Sequence, residues 1–118
     1  MIERRSFADG FPDLFIKDVK SVRWNAVLFL ASFDTPAAVF QQLPVIYTLP
    51  AYGAKRLTVC LPWFPTGTME RIDEVGQVPT GASLAKMLSA TPLAANGPVT
   101  FVVLDIHSLA EQFYFGDS

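Results

Sequence analysis

The sequence predicts an open, mostly parallel α/β sheet. Three apolar runs of β character, Ala26 to Phe33, Arg56 to Pro62 and Val99 to Leu104, are separated by two segments of helical spacing. Strand, helix, strand, helix, strand is the βαβαβ order, and right-handed crossovers leave few topologies for it. Each run is almost continuously apolar instead of alternating, so the strands are expected to be buried on both sides, with helices on both faces of the sheet. At 118 residues, the chain fits one domain.

The elements follow in chain order. Leu14-Phe15-Ile16 is a short apolar run beside Asp13, Lys17, Asp18 and Lys20. Charges in those places suit an edge strand, with a turn at Lys20-Ser21. From Pro36 to Tyr52, Val39, Leu43, Ile46 and Leu49 recur at helical spacing. Asp34-Thr35 supplies an N-cap pair, and Pro36 suits a first turn because its missing N–H is not needed there. Pro44 removes a donor inside this helix and predicts a kink, while Pro50 ends it. Gly81, Leu84, Ala85 and Leu88 then lie at i, i+3, i+4 and i+7 after Thr80, a second helix with Thr80 as the expected cap.

Composition excludes several classes of function. Hydrophobic residues make up 51% of the chain and charged residues 17%, with mean hydropathy +0.33, so a disordered acidic tail is ruled out. The apolar blocks are far shorter than the roughly 20 residues of a membrane span, and no membrane partner is expected. A net charge of -2 offers no basic face for a phosphate backbone, so nucleic acid is not an expected partner. The single cysteine, Cys60, cannot form an internal disulfide, and Met1-Ile2-Glu3-Arg4-Arg5 has no apolar signal region behind it. A reducing, cytoplasmic location is the resulting expectation.

Ligands of such sheets bind where the carboxyl ends of the strands meet their loops. Two segments leave that edge, Trp63 to Gln77 and Asp105 to Ser118. Asp105 and His107 stand two apart, so an extended chain points both the same way, toward one shared cation. On spacing alone the favoured reading makes Asp105 the cap of a helix near Ser108 and His107 a surface histidine. Asp117 adds a hard oxygen ligand of the type magnesium takes, or is a solvated terminal carboxylate. In Phe64-Pro65-Thr66-Gly67-Thr68-Met69-Glu70-Arg71, the hydroxyls and backbone amides suit a phosphate, and Arg71 suits either a bidentate phosphate contact or a pair with Glu74. The segment lacks the Gly-x-x-x-x-Gly-Lys spacing of a P-loop.

Three segments together resemble ribose-phosphate diphosphokinase (PRPP synthetase) in its plant-type branch. They are Phe7-Ala8-Asp9-Gly10-Phe11-Pro12, Phe64-Pro65-Thr66-Gly67-Thr68 through Glu70-Arg71, and Leu104-Asp105-Ile106-His107-Ser108-Leu109 through Phe113-Tyr114-Phe115-Gly116-Asp117. The resemblance implies an incomplete phosphoribosyltransferase-like N-terminal domain over residues 1–118, without the family's C-terminal domain. It implies a kinase that transfers a diphosphoryl group from Mg-ATP to ribose 5-phosphate, giving PRPP and AMP for nucleotide biosynthesis. A segment of this span is expected to be inactive alone.

By the same resemblance, His107 is the catalytic residue beside the ATP phosphates, and Asp105, His107 and Asp117 hold Mg2+. Thr68, Met69, Glu70, Arg71 and Asp73 lie on the ATP loop. Phe7 and Asp9 reach the adenine of a neighbouring subunit, implying a homo-oligomer. The chain departs from the family in three places. Thr68-Met69 stands where the better-known branch has Arg-Gln, and Phe11 replaces an acidic adenine contact. Trp24 occupies a usual glycine position, which predicts a turn without positive φ. The alternative function is a non-catalytic regulatory homologue of the synthetase.

Overall fold

The structure, a computed structural model, describes residues 2–62, 64 and 74–104. β1 (Ile2–Ser6) and β2 (Pro12–Ile16) form an antiparallel hairpin. β3 (Ala26–Leu30), β4 (Arg56–Leu61) and β5 (Thr100–Val103) form a parallel sheet in the order β3-β4-β5. α1 (Pro36–Thr48) and α2 (Thr80–Ser89) are the two crossovers. The parallel α/β sheet expected from the sequence is therefore present.

The first crossover starts as its sequence dictates. Thr35 is extended, its Oγ1 accepts from the Ala38 N–H at 3.0 Å, and Pro36 stands in the first turn. The helix continues through Pro44, and Thr48 Oγ1 donates to the Pro44 carbonyl at 2.7 Å. Leu49 closes the helix, and Pro50–Tyr52 make a separate 3-10 turn. At α2 the cap differs from expectation. Thr80 is the first helical residue and Pro79 holds the cap position, with no side chain available to donate or accept there. The predicted inward face is correct, since Gly81, Leu84, Ala85 and Leu88 are all buried.

One face of the sheet is closed. Registers Val27↔Leu57, Phe29↔Val59 and Val59↔Phe101 align one set of side chains. Leu57, Val59 and Leu61 are at most 2% exposed. They share a single core with Val45 and Ile46 of α1, its C-cap Leu49, and Leu84, Ala85 and Leu88 of α2, and Tyr47 Oη donates across to the Met87 carbonyl. Ile2, Leu14 and Ile16 bring the inner side of the hairpin against the same core.

The other face differs from the expectation of two-sided burial. Leu28, Leu30 and Leu104 are 63%, 69% and 68% exposed, and Val102 is also exposed. The reason is topological. A sheet that advances in one direction through right-handed crossovers carries every connecting helix on the same side. Both described helices contribute to the core under Leu57, Val59 and Leu61, so among the described residues nothing lies over the face of Leu28 and Leu30.

Two local features also correct the sequence reading. The short run at Leu14-Phe15-Ile16 belongs to a hairpin separate from the parallel sheet, and the turn beyond it is a 3-10 segment, Val19–Ser21. Trp24 does adopt a positive φ, 63°. A left-handed residue with a Cβ costs about 1–2 kcal/mol, and the neighbouring backbone holds it there. The Trp24 N–H donates to the Gly53 carbonyl at 2.8 Å, and Asn25 Nδ2 donates to Ser21 O at 2.7 Å. Gly53, at φ 89°, allows this approach, because a Cβ there would come within 3.3 Å of Arg23 Cγ.

Candidate functional site

The carboxyl edge of the parallel sheet is where the two chemistry-bearing segments depart. The Leu104 N–H donates to Leu61 O at 3.0 Å, extending the β4–β5 pairing to the last described residue before Asp105. The segments that follow β4 and β5 therefore leave the sheet from hydrogen-bonded neighbours, about 4.8 Å apart. This adjacency follows from the strand order and could not be read from positions forty residues apart in sequence. Thr68, Met69, Glu70, Arg71 and Asp73 lie outside the described residues, as do Asp105, His107 and Asp117. Among the described residues no group of three or more His, Cys, Asp or Glu side chains could hold a metal.

The third strand of the sheet contributes an ordered turn at the same edge that the sequence reading passed over. The Gln42 side chain, buried in α1, acts as a partner strand would. Its Oε1 accepts from the Ser32 N–H at 2.8 Å, and its Nε2 donates to Ser32 O at 2.7 Å and to Ala38 O at 3.1 Å. Ala31 N–H donates to Cys60 O at 2.9 Å, so pairing on β3 runs one residue past its end before Gln42 takes over. Ser32 Oγ in turn donates to Asp34 Oδ2 at 2.8 Å. A glutamine pair, Gln41-Gln42, between apolar helix positions is the only trace of this arrangement in the sequence.

Phe7 and Asp9, the two described members of the predicted nucleotide site, sit together at the hairpin tip. The Phe7 N–H donates to Phe11 O at 2.8 Å and the Gly10 N–H to Phe7 O at 2.9 Å. Gly10 has φ 88°, a conformation in which glycine carries no Cβ penalty. Asp9 Oδ1 accepts from the Phe11 N–H at 3.0 Å, so one carboxylate oxygen fixes the turn that presents Phe7. Phe7 and Phe11 are both exposed.

The tip leans on α1. The Phe11 ring meets Phe40 edge-on, with centroids 6.0 Å apart and planes at 74°, an arrangement favoured by the ring quadrupoles. A groove of about 560 Å3 between hairpin and helix is lined in part by Phe7, Leu14, Phe15, Phe40 and Tyr52, with Asp13 and Thr48 as its polar groups. Asp9-Gly10 between two strands is a turn signal, and it locates this hairpin in the sequence even though β1 itself, with Glu3, Arg4 and Arg5, lacks an apolar run.

No family model matches the chain. Individual relatives do. The chain is 50% identical over 117 residues to "Ribose-phosphate pyrophosphokinase 3, chloroplastic" of Oryza sativa subsp. japonica, covering 99% of itself and 29% of that protein. It is 48% identical over 116 residues to "Ribose-phosphate pyrophosphokinase 4" of Arabidopsis thaliana, covering 98% of itself and 34% of the relative. A third relative, from Spinacia oleracea, is 48% identical and is named mitochondrial.

Among solved structures, phosphoribosylpyrophosphate synthetase from Mycobacterium smegmatis superposes with a TM-score of 0.76 at 24% identity, over 98% of this chain and 37% of that one. That likeness shows the fold. The cytoplasmic expectation is overturned: the rice relative is named chloroplastic and the spinach relative mitochondrial, which points to an organelle. Organelle address is carried by receptor-read segments, about which the composition of a core says nothing. Along nearly its whole length the chain is homologous to plant ribose-phosphate pyrophosphokinases, and it spans about a third of their length.

Proposed function

We propose that the chain is part of an enzyme that transfers a diphosphoryl group from ATP to ribose 5-phosphate, forming PRPP and AMP. The observation that carries this reading is 48–50% identity to pyrophosphokinases across 98–99% of the chain. The adjacency of the β4 and β5 exits supports it, because one ligand at the carboxyl edge can then be reached by residues 65–73 and 105–117 together.

In this reading Thr68, Met69, Glu70, Arg71 and Asp73 line the ATP phosphates. Arg71 has the planar, bidentate donor geometry that matches a phosphate. Asp105, His107 and Asp117 form the cation site, with His107 closest to the reacting phosphates. Two carboxylates fit magnesium in donor chemistry, since its hard oxygen preference would be met by the acids and its remaining positions by water and phosphate, with the imidazole a softer donor beside them. When bound, Mg2+ offsets the negative charge that spreads over the transferred group. Phe7 and Asp9 present an aromatic face and a second carboxylate oxygen to the adenine of a neighbouring subunit, which makes the working form a homo-oligomer.

The test is AMP release from Mg-ATP and ribose 5-phosphate by the purified protein that carries this segment. AMP that depends on ribose 5-phosphate is expected, and Mg-ATP binding without AMP release would assign the protein to the regulatory, non-catalytic class. Calorimetry of a His107→Ala variant with Mg-ATP is expected to show binding weaker by about tenfold or more, from the loss of a charge-assisted contact. Equal affinities would remove His107 from the site.

A further inference from the structure

We draw no further inference here: the strongest candidate, the open apolar face of the parallel sheet at Leu28, Leu30, Val102 and Leu104, carries nothing because nothing in the structure shows what covers it.

Discussion

The two faces of the parallel sheet are built from much the same residue types and have opposite fates. On one, Leu57, Val59 and Leu61 lie under both helices. On the other, Leu28, Leu30, Val102 and Leu104 face outward, with Cys60 half-buried among them. Along β3 and β5, Val27, Phe29, Phe101 and Val103 pack on the core side and alternate with the outward Leu28, Leu30, Val102 and Leu104, so strand propensity does not separate the two sets. The difference lies in the crossovers, which both pass on one side. An apolar run records how much of a strand avoids water when it is covered; the path of the chain decides which side receives the cover.

Four measurements break or sharpen this contrast. The largest effect is expected from Leu61→Ala, which opens a cavity beneath the helices and lowers unfolding free energy by about 2–5 kcal/mol in urea titration. A loss no greater than that of an exposed-face substitution would mean that the closed face is not the core.

Gln42→Leu comes next, at about 1–3 kcal/mol, because the Ser32 N–H and carbonyl lose their side-chain partner at the edge of the core. Hydrogen exchange at the Ser32 amide should accelerate in this variant, and an unchanged rate would show that Gln42 does not hold the turn. Trp24→Gly is expected to change stability in the opposite direction, by up to about 1 kcal/mol. Relief of the left-handed strain exceeds the added chain entropy of glycine, and thermal melting reads the sign. The smallest effect belongs to Leu30→Ala on the open face, within about 0.5 kcal/mol. A cost comparable to that of Leu61→Ala would show that the open face is covered in solution.

Much of the fold was legible because local rules agree with the tertiary result. Thr35 and Pro36 mark the start of α1 by hydrogen-bond geometry alone, and the spacing of Gly81, Leu84, Ala85 and Leu88 marks the buried side of α2. Other features depend on contacts distant in sequence. The left-handed Trp24 is held by Gly53, and the Ser32 turn is held by a side chain ten residues later. No window of local sequence contains either pair of partners in a recognisable pattern. The hairpin lay between these cases, since its Asp9-Gly10 turn is a local signal while β1 takes its strand identity from pairing with β2.

For the candidate site, residue type was legible and assembly was not. Phe7 and Asp9 are candidates by resemblance alone. The structure adds that the Asp9 carboxylate accepts from the backbone of its own turn, leaving Phe7 exposed beside it. The segments after β4 and β5 were readable in sequence as two separate hydroxyl-rich and acidic stretches. Their common origin came from the strand order.

By itself, then, the sequence determined the strands and helices of the parallel sheet, their order, the parallel α/β class and, through identity with its relatives, the kinship to ribose-phosphate pyrophosphokinases. These rest on periodicity, capping chemistry and side-chain identity, which are written along the chain. Only the tertiary structure decided which face of the sheet is closed, that β4 and β5 end side by side, and that Trp24 takes a conformation usually left to glycine. Each of these depends on which distant groups meet, and that is set by crossover direction and by backbone hydrogen bonds between segments far apart in sequence.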